Sequence, residues 1–473
     1  MKLLAAALSF SAFALSATLP AAAQTKRPMT FADLAAMKRV SDPQVSPSGK
    51  WVLFSVTDVD LAKNSKVNHL WVVPLDGSAK ERQVTFGTGE SNGRFAPNGK
   101  AIALTMKDQI FEMPWDDAAG KPGDAVQVTN ANGGADGAIW SPDSKRVLFT
   151  VSVFPACSDL GGWAQEDACD KAKGDAADAS PVKAQIFEHL LYRHWNAYTG
   201  ERRSHIAVVD AADGRNLRDL TPRSVVGDAE TPTFSLGGPL GYAWAPDAQE
   251  IAYVTNLEDG FAKPGVYPQP GESTNNEVFT LRLNEAGAVA KKVSSSPGSD
   301  DGPQYSPDGK WLAWRSQARR GYESDRPWLI VYNRATGKGE KLELDLKDFS
   351  QPGKPREYDF DRWVDEFAWS NNSERLFFVS GDKGETIIYG TNVTGDDLHR
   401  FGRLAADWSS LVQVPRTAAS HAGEWVTAYT RVDRPTELAV VDPYKMDDSA
   451  MVPSVGLPVA GGNYAHSLVP DTK

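Results

Sequence analysis

The chain of 473 residues has only two cysteines and seven histidines, and neither set falls into a metal-binding spacing. It has no C-x-x-C pair and no H-E-x-x-H run, which argues against thioredoxin-like redox chemistry and zinc-peptidase chemistry. Positive charge is also short: 50 Lys and Arg stand against 61 Asp and Glu, a formal net of −11 at pH 7. With no basic stripe, nucleic acid is not an expected ligand. Past the first two dozen residues no apolar run is long enough to cross a bilayer. No metal or cofactor is expected.

What the chain does have is turn formers and aromatics. Forty glycines, thirty prolines and fourteen tryptophans, with 41% hydrophobic residues, predict many turns joining short aromatic-rich strands around a real core. The expected class is all-β. At the start, Lys2 precedes a mostly apolar run from Leu3 to Ala17, and Ala21-Ala22-Ala23 closes it in the small-residue style of a signal-peptidase site. Residues 1–23 are therefore expected to be a signal peptide. An exported, periplasmic or secreted protein with no membrane association after cleavage follows; an uncleaved anchor is the alternative. Export makes a disulfide between Cys157 and Cys169, twelve residues apart in the loop-like stretch "FPACSDLGGWAQEDACDK", the preferred pairing over a metal site.

One pattern returns along the chain. "VSPSGKWVLFSV", "FAPNGKAIALTM", "WSPDSKRVLFTV", "WAPDAQEIAYVT", "YSPDGKWLAWRS" and "WSNNSERLFFVS" are clear copies, and "SHAGEWVTAYTR" is a fainter seventh. In "YSPDGK" Pro307 presets φ, Asp308 bonds its own backbone and Gly309 supplies the positive φ that closes the turn. A nearly continuously apolar strand follows, as befits a sheet covered on both faces, and then two further strands with an Asp-Gly turn between them. The anchors Pro47, Pro97, Pro142, Pro246, Pro307, Asn371 and His421 are separated by 50, 45, 104, 61, 64 and 50 residues. Seven such sheets predict a seven-bladed β-propeller over 45–457, with a short capped helix at "TFADLAAMKR" in a leading segment 24–44. The long step is one blade plus an insertion at about 153–204, in the third blade. A β-sandwich competes, but leaves the repeat count unexplained.

"GESNG", Gly89 to Gly93, matches the G-x-S-x-G of a serine nucleophile. Such a serine needs a strand entering it and a helix leaving it. Here the "FAPNGK" turn follows instead, so Ser91 is expected to be a polar residue in a connection between blades and not a catalytic group.

"LLYRHWNAYTGERRSH", "YSPDGKWLAWRSQARRGYESDR" and the leading "MTFADLAAMKRVSDPQVSPSGKW" resemble the propeller domain of secreted bacterial peptidases of the prolyl oligopeptidase family, in the dipeptidyl peptidase and acylaminoacyl peptidase branch. The resemblance runs from about Thr30 through the seventh repeat. In that family a propeller caps an α/β-hydrolase domain carrying Ser, Asp and His, and no strand-nucleophile-helix segment follows the repeats here. The resemblance thus implies a propeller that admits and binds short peptides, is inactive by itself, and works with a hydrolase domain or chain toward which a tail, 458–473, would lead. It also implies roles for residues. Glu323, and secondarily Asp325, would hold a peptide's ammonium terminus; Arg193, His194 and Trp195 would form a wall at the mouth, Arg193 bonding a carbonyl and Trp195 stacking. Charged runs between strands are more often solvated loops, and a lone histidine more often packs than ligates. A stand-alone exported module binding protein partners is the alternative function. An enzyme with paired carboxylates in its channel is a weaker third, since no spacing singles out a pair.

Overall fold

The structure, a computed structural model, describes residues 27–443 apart from 188–191, 195, 199, 234–239, 258–272, 286, 349–355, 402–405, 417–422 and 433. Within them each repeat folds as an antiparallel sheet whose strand order equals chain order, so the strands are joined by hairpins. The seven sheets stand as blades in a ring. Their first strands are Arg39–Val45, Glu90–Phe95, Asp136–Trp140, Tyr242–Trp244, Asp300–Tyr305, Glu366–Trp369 and Asp407–Gln413. First strands of neighbouring blades approach one another, which places them around the axis. Seven apolar clusters fill the seven seams between blades. Leu53 and Val72 of blade 1 meet Ile102 and Met113 of blade 2, and Val426 and Leu438 of blade 7 meet Val40 and Phe54 of blade 1, closing the ring by packing.

The signature turns explain their own residues. Ser46, Ser141, Ser306 and Ser370 each accept, at 2.9–3.1 Å, the backbone N–H five residues on. Gly309 takes φ 71° as its turn requires; Ser144, Ala248 and Ser373 hold the same left-handed corner at φ 60°, 58° and 63° without glycine's freedom. The aromatic before the turn is a seam clamp. The indole N–H of Trp140, Trp244 and Trp369 donates to the carbonyl of Arg94, Ile139 and Gln304 respectively, in each case on the first strand of the preceding blade. A ring that buries its body and bonds with its edge suits that place.

Each blade starts one strand earlier than the repeat suggests. The strand before the turn is the axial one, and in blades 1, 2, 3, 5 and 7 it carries a bulge, with register shifts at Ser41/Gln44, Ser91/Arg94, Asp136/Ile139, Asp301/Gln304 and Ser409/Val412. Asp42, Asn92, Gly137, Gly302 and Ser410 take the positive φ at its corner. Ser91 is thus within the first strand of blade 2, and not in a connection between blades. Glu90 to Phe95 already pair with the strand Ala101–Met106. Gly93 is small because a Cβ there would stand 2.8–2.9 Å from Leu53 and Leu70 of blade 1.

The leading helix α1 (Phe31–Ala36) has the reciprocal capping box of Thr30 and Asp33. The cysteine segment differs from the loop expected: after a 3-10 turn at Pro155–Cys157 it forms α2 (Trp163–Ala179). Its alanines favour a helix, and five side chains of Asp and Glu leave it little apolar surface to announce one.

Candidate functional site

Hairpin alternation gives the ring two unlike ends. One end carries the turns between first and second strands and between third and fourth. The other carries the loops between second and third strands and the connections from blade to blade. On that end the loops at 61–64, 107–108, 383–384 and 432–433 are short, whereas blades 3, 4 and 5 extend theirs to 154–202, 256–276 and 317–327. Three adjacent blades therefore build up one arc. Glu323 and Arg193 both lie in this arc, two blades apart.

In the blade 5 loop, the Gln317 side chain donates to the carbonyls of Glu323 (2.9 Å) and Asp325 (2.7 Å), gathering both acids against the strand end. Arg319 Nε then reaches both Asp325 oxygens at 3.0 and 2.9 Å, and its guanidinium lies 4.1 Å from the centre of the Tyr322 ring. The Arg319 bond holds the Asp325 carboxyl below its ordinary range. Asp325 is committed within the loop. The Glu323 side chain is exposed, and its carboxylate takes no hydrogen bond or ion pair from the described residues. Gly321 N–H bonds Thr274 Oγ1 at 2.8 Å, which ties the blade 5 loop to that of blade 4.

The blade 3 loop is built in two stages. Cys157 and Cys169 form a disulfide (Cα–Cα 5.6 Å), and buried Asp170 accepts the Phe154 N–H at 2.7 Å, seating α2 on the blade. Burial raises the Asp170 carboxyl above its ordinary range despite that bond. Arg202 stacks over Phe154 at 4.3 Å while donating to Ser152 O at 2.7 Å. Farther out, Arg193–His194 pairs with Ala197–Tyr198 in a small hairpin, Arg193 opposite Tyr198. Arg193 is exposed; His194 takes part through its backbone, and Trp195 lies outside the described residues. Around Arg193 stand three aromatics that the sequence reading passed over. Phe187, Tyr192 and Tyr198 have ring centres 5.1, 5.4 and 6.5 Å apart, partly open to solvent. Their signal was the pair of tyrosines flanking a turn in "YRHWNAY".

This end is also where the apolar surface is. Met29, Phe31 and Leu34 of the α1 region, Leu61, Phe86, Leu160, Leu240, Tyr322, Trp363 and Val432 are exposed on it, together with Val182 and Ile186 in the blade 3 loop. Among the described residues only Val126, on an outer strand, and Val289, at a turn, are large exposed apolar side chains elsewhere.

Along the axis the polar groups serve the ring. Arg94 pairs with Asp42 at 2.7 Å, and Arg315 grips Asp301 through two bonds of 2.7 Å while also donating to the Asp365 carbonyl of blade 6. Asp300, fully buried, accepts the Trp314 indole N–H at 3.0 Å; burial pushes its carboxyl up to about 7. Ser91 is exposed at its bulge and bonds no histidine among the described residues.

The architecture is that of a seven-bladed propeller with one loop-rich, apolar end. No protein-family model matches the chain. Its sequence is 27% identical to dipeptidyl-peptidase 5 of Porphyromonas gingivalis over 358 residues, covering 75% of this chain and 46% of that protein. Dipeptidyl-peptidase 5 of Porphyromonas endodontalis is 28% identical over 302 residues, 63% of this chain and 40% of that one. The chain spans about half the length of the curated relatives it matches. Acylaminoacyl peptidase of Pyrococcus horikoshii shares the fold at a TM-score of 0.55 and 14% identity, covering 85% of this chain and 51% of that chain. The chain is a seven-bladed β-propeller similar in sequence to part of dipeptidyl-peptidase 5, and it shares its fold with part of acylaminoacyl peptidase.

Proposed function

We propose that this propeller binds and gates peptides for a serine exopeptidase, with an α/β-hydrolase domain seated on the loop end. The concentration of exposed apolar side chains on that one end carries the reading. A hydrolase packed there would leave a closed space roofed by the loops of blades 3, 4 and 5. Glu323, the acid with no local partner, would pair with a peptide's ammonium terminus, and Arg193 beside its aromatic trio would hold a carbonyl and a side chain. Folded proteins would be excluded by the narrow access. In this reading Ser91 is no nucleophile, because a serine in a bulged strand has neither a helix N-terminus behind it nor, among the described residues, a histidine beside it. Export to the periplasm or medium, inferred from the leading residues, fits a role in peptide breakdown.

The test is assembly with the hydrolase half of a dipeptidyl-peptidase 5. Binding followed by calorimetry should be lost in the double variant Phe31→Asp, Leu34→Asp and kept in Val289→Asp, on the opposite end. Equal binding by both variants would remove the loop end from the interface.

A further inference from the structure

Helix α2 is 17 residues long, yet its only buried residue is a carboxylate, Asp170, at 1% exposed. A helix of this length ordinarily docks through an apolar stripe. Here Trp163, half-buried against the seam between blades 2 and 3, is the one large apolar side chain it offers. Three acids on one face hold it instead. Glu166 accepts the Leu160 N–H at 3.3 Å, Asp170 accepts the Phe154 N–H at 2.7 Å, and Asp167 accepts the backbone and side-chain N–H groups of Asn132 at 2.8 and 2.5 Å. Their spacing of three and four residues sets them side by side.

What faces these acids is largely acidic too. Asp159, before the helix, accepts the Ser224 N–H and hydroxyl at 2.9 and 2.7 Å. Asp219, on the fourth strand of blade 3 (Arg218–Asp219), has Oδ2 2.6 Å from Nδ1 of His205. That imidazole is fully buried on the third strand (Arg203–Asp210), and its Nε2 has no partner. The cations are Arg202, stacked on Phe154 and donating to the Asp170 carbonyl at 3.4 Å, and Lys173, 5.5 Å from the centre of the same ring. Lys171 pairs with exposed Asp175 instead. Five carboxylates thus meet two permanent cations and one imidazole. Burial, then the like charges of Asp219 and Asp159, raise the Glu166 carboxyl above its ordinary range. Burial raises Asp170 against the pull of the Phe154 N–H, Arg202 and His205.

We propose that α2 is a proton-operated latch, docked on blade 3 in acid and released on its disulfide tether as the pH rises. The docked state holds the protons of Glu166 and Asp170 more tightly than the released state, in which both carboxyls meet water. Docking is therefore strongest below the ordinary carboxylate range, about 4, and weakens as pH rises through the raised values. Loss of a proton from His205 would act in the same direction, leaving Asp219 uncompensated. Cys169 stays joined to Cys157 in both states, so the helix opens without leaving. The chain runs on from α2 to Arg193 and its aromatics, so release would also free the base of that part of the arc. The latch does not depend on the peptidase role of the loop end.

Hydrogen exchange of the full chain at about pH 4.5 and about pH 8, corrected for intrinsic rates, reads the opening of α2 against that of the blade 3 strand Arg146–Val153. The opening constant of the α2 amides should rise at least about tenfold between the two, with the strand unchanged. The double variant Glu166→Gln, Asp170→Asn keeps both hydrogen-bond acceptors and removes both charges, so its α2 should stay closed at either pH. Glu166→Gln alone should lose part of the rise, and serves as the reading if the double variant does not fold. Three results would overturn the proposal. They are equal opening of the parent at both pH values, a full rise persisting in the double variant, which would put the switch at His205, and joint opening of α2 with the strand, which would make the event an unfolding of the blade.

Discussion

The two ends of this ring are made of the same repeat, yet they differ in what their residues are for. At the turn end, serine hydroxyls cap the next strand, the indoles of Trp140 and Trp369 clamp neighbouring blades, and charged side chains sit within their own turns. At the loop end, apolar side chains and Glu323 face outward with nothing to hold. Residues of the first kind close the fold; those of the second are spare to it. Substitutions at the turn end should therefore cost stability, and substitutions at the loop end should cost binding.

The largest expected loss is at a clamp. Trp369→Ala removes a buried ring and an inter-blade bond and should destabilise the protein by about 3–5 kcal/mol in urea unfolding. A loss under about 1 kcal/mol would mean that the seams are not coupled through these rings.

Asp300, the first residue of the axial strand of blade 5, gives the next largest effect and a direction with pH. Its carboxyl titrates at about 7 when folded and near 4 when unfolded, so the folded state binds the proton more tightly. Its stabilising contribution is complete below about pH 4, falls as pH rises toward 7 and is gone above that. Asp300→Asn should remove this slope and be more stable than the parent by about 2–4 kcal/mol at pH 8. Chemical denaturation from pH 5 to pH 8 checks it; an unchanged slope would place the titrating group elsewhere.

The seven-blade count was legible because the turns are local. Pro307-Asp308-Gly309 announces its geometry without help from the rest of the chain. The axial strands were not, since their bulges put Pro43, Gly93 and Pro303 where a strand is not expected. Ser91 was set in a connection for that reason, although the absence of an elbow was readable. Helix α2 read as a loop because it is anchored by a disulfide, Asp170 and stacked cations in place of an apolar stripe. The sequence ranked Glu323 ahead of Asp325 but held no geometric ground for doing so. Which acid is left over depends on Gln317 folding the loop so that Arg319 meets Asp325.

That separation gives the loop-end counterpart. In the assembled peptidase, Glu323→Gln should lower kcat/KM for free-amine dipeptidyl substrates by about 1–3 kcal/mol, hardly affect N-acylated ones, and leave thermal stability within about 0.5 kcal/mol. Equal losses on both substrates would make Glu323 a docking residue. The smallest effect returns to the turn end. Ala248→Gly relieves a left-handed alanine and should stabilise by about 0.5–1 kcal/mol, measured as a rise in Tm; destabilisation would mean that its methyl group packs usefully.

The division of the ring into a structural end and a contact end is tested most directly by hydroxyl-radical footprinting, with and without the hydrolase half of a dipeptidyl-peptidase 5. The account predicts protection of Phe31, Leu34, Phe86, Tyr322 and Trp363 and none at Val289 on the turn end. Protection at Val289 with the loop-end residues left reactive would contradict it.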